Sequence, residues 1–515
     1  MVDLMFILGA LSSISCEYIG ILVTVKANYR TAIGCKKSLR EGFILGFRSG
    51  SILAFYSVAL GLLILLLITT IYFQYLLPVN PQYNDYLKLF ELVAGYAFGG
   101  SIVGFIRHIS RRMYMNAANI GIDYIKEDSN ETSLNEVVIT LKNAGGVEID
   151  LFESFIASIC AALFVSGTFS ELANNQGILL FPLLITGSGI IASLFTMFFA
   201  THIVAIVESS DLRRAIKYQK IIVAVLGTTI LYAITIIGLP YQLTNTIIII
   251  NFHSFLCIAI GLWSSFIFKY LKTTSSFFNT IPAFFIALVI GICYYLAGGY
   301  GIVLGSVSFH CTICIDLSIS GYGSICESAY SLSIGEDIRK TVYELHSSVS
   351  EESRLGSGAF TALALFFAFV IEHELEFIDL LSFLQVCGFL IGILFAWLYS
   401  ALVTQYSHEV SNTMIKELRS ELIKRQRTLL SIAYEEYFDI GKCMRTVSHI
   451  SFKHVLVIVC IVVVTPLLCG FIFGNRGLAV ILAGGLIGNI VINNTISHIF
   501  IKTSAIAVLV FSSLF

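Results

Sequence analysis

Apolar runs of about twenty residues, parted by short polar stretches, recur from Val2 to the end of this chain. A helix rises about 1.5 Å per residue, so each run matches the roughly 30 Å of hydrocarbon in a bilayer. Composition agrees. Of 515 residues, 57% are hydrophobic and 12% charged, with a mean hydropathy of +0.87. Soluble chains carry about twice that charged share, and disorder needs low hydrophobicity. With 40 Gly, 6 Pro and no Gly-X-Y period, a fibrous fold is excluded. The net charge of -2 offers no basic field for nucleic acid. What remains is an all-α polytopic membrane protein, a single membrane domain over residues 1–515, with the lipid bilayer as its first partner.

About fourteen spans are expected, near 2–24, 44–75, 86–106, 149–168, 178–207, 221–239, 243–268, 280–298, 301–319, 357–371, 380–404, 454–474, 478–497 and 500–515. The distribution of Lys and Arg tests this count independently. Of 31 basic residues, 28 fall in alternate loops, while Lys88 and Arg476 lie on the other side and Arg48 just inside the second span. The expected topology is multi-pass and integral, with the N-terminus outside and the long loops 107–149, 316–356 and 405–453 cytoplasmic. The first run lacks a basic leader and is read as a span rather than a cleaved signal. The sequon at Asn130 falls in a cytoplasmic loop and should be unglycosylated. Segments 114–126 and 134–150 are expected to be helices, and 411–430 to continue a membrane helix into the cytoplasm.

Ionisable groups inside a bilayer are costly and normally face a bundle interior. The candidates are Glu17, Arg48, Glu91, Arg107, Asp150, Glu153, Asp316 and Glu327. Those near span ends can instead snorkel to the interface, a reading that fits Glu17 and Arg48 as well as a buried role does. Asp150 and Glu153 lie one turn apart on an otherwise apolar helix. Two carboxylates there need a cation, a proton or an Arg, and Arg107 is the expected partner. Such a cluster serves as an ion relay or as structural pairing. His310-Cys311-Thr312-Ile313-Cys314 has a Cys-x-x-Cys spacing, but it sits in an apolar run without a second pair, which argues against zinc. The acids Glu372, Glu374, Glu376 and Asp379 read as a solvated loop on the opposite side. Gly95 with Gly99, and Gly100 with Gly104, have the small-xxx-small spacing of close helix packing.

Several stretches carry a family likeness. Tyr114–Asp123 is similar to IYTKAADVGAD, and Gly146–Phe155 to GMGADLFESY. The stretch from Ala297 to Gly323 looks like the segment ending in TDAYGPISDNAGG. Val464-Thr465-Pro466-Leu467-Leu468 and Ile481-Leu482-Ala483-Gly484-Gly485 resemble late TPL and LLAGSL helices, and Asn28, Arg30-Thr31-Ala32 and Phe47-Arg48-Ser49-Gly50 also fit. The chain thus resembles the membrane-bound inorganic pyrophosphatases, ion pumps driven by pyrophosphate. The resemblance implies about sixteen helices in two rings, a cytoplasmic funnel where Mg²⁺-bound pyrophosphate is hydrolysed, homodimers, and transport of H⁺ or Na⁺. It also implies that Arg107, Asp150 and Glu153 occupy ion-gate positions, and that Asp123 and Glu327 remain as catalytic and magnesium-binding acids.

The departures concern the funnel. Magnesium wants hard oxygen ligands, and the family supplies carboxylates four residues apart, on one helix face. Here the matching positions read Asn119, Asn135, Ile139, Asn143, Tyr343 and His346, and a family Lys reads Ser357. The late GDTVGDPFKDT and DNAKK motifs have no counterpart. Divalent cations without carboxylates repel one another strongly at short range. The expectation is therefore a pump relative with impaired or absent hydrolysis. Two alternatives stand beside it: a non-catalytic structural or regulatory paralogue pairing with an intact pump, and an unrelated secondary transporter; the expected assembly is a homodimer or a heterodimer with a family member.

Overall fold

A computed structural model describes residues 1–78, 83–128, 150–167, 179–203, 206–244, 248–272, 280–333, 336–347, 355–373, 375, 382–430, 440–492 and 506. Side chains of some helical residues, among them Asn119, Asp123, Asp150 and Ser357, lie outside that description. The elements are α1 (Val2–Lys37), α2 (Leu39–Ile71, running into a π turn, Tyr72–Leu76), α3 (Tyr83–Asp128), α4 (Asp150–Gly167), α5 (Phe181–Phe198, followed by a π turn, Phe199–Ile203), α6 (Ser209–Gly238), α7 (Asn251–Lys272), α8 (Thr280–Phe309), a 3-10 turn (His310–Thr312), α9 (Ile313–Leu332), α10 (Glu336–Ser347), α11 (Leu355–Glu372), α12 (Phe383–Leu430) and α13 (Ile440–Ile492). A small antiparallel hairpin, Gln242–Thr244 with Ile248–Ile250, pairs Leu243 with Ile249.

The outward face of α1 shows which solvent the fold expects. Leu4, Ile7, Leu11, Ile14, Tyr18, Leu22 and Val25 form an exposed stripe at helical spacing. The buried face holds small or polar residues instead: Gly9, Ser12, Ser13, Cys16, Gly20 and Thr24. Lipid tails solvate the large side chains, and small residues let backbones approach. Gly99, on α3, is a case in point: a β-carbon there would overlap the carbonyl of Phe6, so α1 and α3 touch backbone to backbone. The helix α4 is the opposite case. Every described side chain from Phe152 to Gly167 is buried except Phe164, as befits a helix apolar all round. It is enclosed by α3, α8, α11, α2 and α9.

Among the described residues, eight helices are long and apolar enough to cross a membrane, fewer than the fourteen runs expected. Two physical reasons account for much of the difference. The stretch Phe284–Tyr330 is bent at Gly298 (φ 56°), and Arg445–Gly488 at Gly474 (φ 65°), so each carries two of the expected runs. Only glycine adopts that left-handed backbone at little cost. Three more runs fall on the shorter apolar helices Phe152–Gly167, Asn251–Ile267 and Phe360–Glu372. The run 500–515 lies outside the described residues except for Ile506.

Residues 114–126 do not form a separate helix. They continue α3 without a break through Arg111 and Arg112, which gives a single helix of 46 residues. Its far half packs on α12 and α13, where Met113 and Ala117 meet Met414, Leu418 and Val447, and the Tyr114 hydroxyl donates to Ser448 at 3.3 Å. The expected extension of 411–430 is present as the second half of α12. Of the expected helix 134–150, only Asp150 is described, and the sequon at Asn130 also lies outside the described residues.

Candidate functional site

Three helices bring three charged side chains together inside this bundle. Arg107, on α3, donates from Nη2 to Glu153 Oε1 on α4 at 2.7 Å, and from Nη1 to Glu17 Oε2 on α1 at 3.3 Å. The side chains of Glu153, Arg107 and Glu17 keep only 3%, 9% and 19% of their surface exposed. A planar guanidinium suits this task, because its two terminal nitrogens can serve two carboxylates at once. Charges removed from water lose hydration, and a close pair with hydrogen bonds offsets that loss only when the geometry is good.

Gly104 makes the approach possible. It lies one turn before Arg107, and a β-carbon at that position would overlap the Glu153 carboxylate. The glycine spacing read as helix packing thus serves the charge cluster as well. Next to it, the Thr361 hydroxyl on α11 donates to the Ser154 carbonyl at 3.3 Å, which ties α4 to α11 one residue past Glu153.

The sequence pointed to Arg107 beside Asp150 and Glu153. The structure brings Arg107 and Glu153 together, whereas the side chain of Asp150 lies outside the described residues. It adds Glu17, which sequence spacing could not place, since the contact spans 90 positions. The remaining ionisable candidates scatter. Arg48 is exposed and bonded to His202 at 3.1 Å. Glu91 is exposed beside a small cavity lined by Phe90, Cys160, Phe164 and Glu372. That placement sets Glu372 against the bundle rather than in a free loop; Glu374, Glu376 and Asp379 lie outside the described residues. Asp316 is buried on α9 and accepts from the Thr312 hydroxyl at 2.9 Å. Both cysteines of the Cys-x-x-Cys stretch are buried, and Cys311 Sγ lies 3.3 Å from the Ile185 carbonyl.

The funnel positions are spread over four elements. Asn119 and Asp123 lie on the far half of α3, and Ser357 in the first turn of α11; their side chains are outside the described residues. Asn135, Ile139 and Asn143 lie outside the description altogether. Glu327, on α9, is half-buried. Tyr343, on α10, is exposed, its ring 6.1 Å from that of Tyr330, and Arg339 sits over the Tyr330 ring at 4.8 Å. His346 is half-buried on the same helix. Among the described residues no three His, Cys, Asp or Glu side chains converge as a metal centre.

The family model for inorganic H⁺ pyrophosphatase matches residues 1–280 and 273–499. A K⁺-insensitive pyrophosphate-energized proton pump of Methanosarcina mazei is 24% identical over 93% of this chain and 75% of its own length. A putative K⁺-stimulated pyrophosphate-energized sodium pump of Clostridium tetani is likewise 24% identical, with the same coverage. A second K⁺-insensitive proton pump, from Moorella thermoacetica, is 25% identical over 95% of this chain and 78% of its own length. With nearly its whole length matched and its helices apolar, this integral, multi-pass membrane chain belongs to the inorganic H⁺ pyrophosphatase family.

Proposed function

We propose that this chain keeps the cation path of a pyrophosphate-driven ion pump while most of its hydrolytic centre is gone. The observation that carries the reading is the buried contact of Arg107 with both Glu17 and Glu153. Two carboxylates sharing one guanidinium inside a membrane bundle present an attractive field to a proton or Na⁺ that enters between them. Asp150 stands one turn before Glu153 on the same helix. Arg107 then acts as the movable countercharge, and Glu153 as the acid that takes up the ion.

The funnel supports the other half. Magnesium pyrophosphate needs several carboxylates around several ions. Asp123 and Glu327 are the acids left among the compared positions, and an exposed tyrosine, Tyr343, stands at another. Asn135, Ile139 and Asn143 stand where the family pattern has acids. This donor set does not fit a cluster of magnesium ions. Membership of the family removes the reading of an unrelated transporter. A second reading draws on the same neutral positions: a non-catalytic structural or regulatory paralogue that pairs with an intact pump.

For topology, we propose about fourteen crossings in two concentric layers with α4 in the inner one, the N-terminus outside and the segments 107–149, 316–356 and 405–453 on the cytoplasmic side. The buried character of α4 and the alternation of Lys and Arg support it.

Purified chain in lipid vesicles tests the reading. The expected result is little Mg²⁺-dependent phosphate release from pyrophosphate, any residue of it abolished by Asp123→Ala, together with H⁺ or Na⁺ flux altered by Asp150→Leu. Phosphate release at the rate of an intact pump would sink the proposal. Co-purification with an intact family member would favour the partner reading.

A further inference from the structure

We infer that Arg48 and His202 form a site for the phosphate of an anionic phospholipid, at the polar edge of the bundle's lipid-facing surface. Both side chains are exposed, on different helices, and meet at 3.1 Å between Arg48 Nη2 and His202 Nε2. The histidine is held in place. Its Nδ1 lies 3.3 Å from the Phe198 carbonyl and 2.9 Å from the Thr201 hydroxyl, and its ring stacks on Phe198 at 4.5 Å. With Nδ1–H donating to that carbonyl, Nε2 accepts from Arg48 and aims the guanidinium. Arg48 is exposed, and its guanidinium carries further donors in the fork that phosphate oxygens match.

The level of the pair on the surface selects the ligand. One turn further along α2, Ile52 is 59% exposed, and one turn back along α5 from His202, Phe198 is 59% exposed. Those side chains lie where lipid tails begin. On the neighbouring α1, which runs antiparallel to α2 with Thr31 against Gly46, exposed Arg30 lies at the same level. An arginine oriented at this boundary is at headgroup height, where anionic lipid concentrates and basic residues find it. The proposal depends on the membrane reading of the chain and not on the gate or the funnel.

The test uses the full chain in phosphatidylcholine micelles, with phosphatidylglycerol added stepwise and the thermal unfolding midpoint as readout. Phosphatidylglycerol is expected to raise the midpoint to saturation in the unaltered chain. Arg48→Gln should weaken the apparent affinity about fivefold. His202→Gln, a milder change, should weaken it in the same direction, and Arg48→Lys should not restore it, since a point charge lacks the fork. An unchanged response in Arg48→Gln would mean diffuse attraction to the membrane surface and overturn the site. The same rise with phosphatidylcholine alone, or with inorganic phosphate at equal concentration, would overturn it as well. Neither hydrolysis nor ion flux enters the readout, so failure here is distinct from failure of the proposed function.

Discussion

Arg107 and Glu153 meet at 2.7 Å across the α3–α4 interface, and they meet because the residue one turn before Arg107 has no side chain. Ion pair and glycine form one unit: the carboxylate occupies the volume that a methyl group at position 104 would fill.

Gly104→Ala should therefore displace Glu153 rather than merely tighten the helix contact. Overpacking in a well-filled interior costs about 1–3 kcal/mol. The expected outcome is a lower unfolding midpoint and altered cation flux in vesicles. A protein with unchanged stability and flux would show that the carboxylate has room elsewhere.

Removing the arginine should cost more than removing either acid. Arg107→Gln leaves Glu17 and Glu153 facing each other in a poorly hydrated interior, and breaking such a pair from one side costs about 3–5 kcal/mol. Glu17→Gln should cost less, because Glu17 is the most exposed of the three. In a double-mutant cycle, Arg107→Gln with Glu153→Gln should recover part of the loss. Simple additivity would mean the contact is not energetically coupled.

Acids restored to the funnel should restore chemistry. Asn135→Asp, Ile139→Asp and Asn143→Asp together place carboxylates four residues apart, the spacing that stacks oxygen ligands on one helix face. Mg²⁺-dependent phosphate release should rise above that of the unaltered chain. No gain, in a protein that still folds, would mean that the lesion lies in other positions as well.

His373 should make the end of α11 sensitive to acid. It lies past the apolar stretch Phe360–Glu372, 3.0 Å from Asn475, and packs edge-on against Phe369 at 4.5 Å. Burial lowers its pKa from the ordinary value of 6.5. The folded state thus prefers the neutral ring, and the unfolded state binds the proton first. The stabilisation is complete above about pH 6.5 and is lost as pH falls through the lowered value. Between pH 7 and 5 the unfolding midpoint should drop further in the unaltered chain than in His373→Gln. Equal drops would assign the acid sensitivity to other groups.

The class of the protein was legible in the sequence because hydropathy and charge alternation are properties of the chain alone. Two of the three members of the charge cluster were legible too, since Glu153 sits on an otherwise apolar helix and an arginine was at hand. Glu17 was ambiguous because an acid near a span can snorkel or pair, and only the packing of α1 on α3 decides between them. The number of continuous helices was not legible. Gly298 and Gly474 carry non-helical backbone where adjacent runs were expected to part, whereas the charged positions 111 and 112 interrupt an apolar pattern without interrupting the helix.

The unbroken course of α3 has a mechanical consequence. Arg107 and Asp123 stand sixteen residues apart on it, about 24 Å along a rod without a proline or glycine hinge at either site. Gly121 is the one glycine between them. A shift of the Asp123 end along this axis would be carried toward the guanidinium, and a slide of about 1 Å is enough to take a hydrogen bond out of range. Any grip on the far half of this helix is thereby a hand on the ion pair.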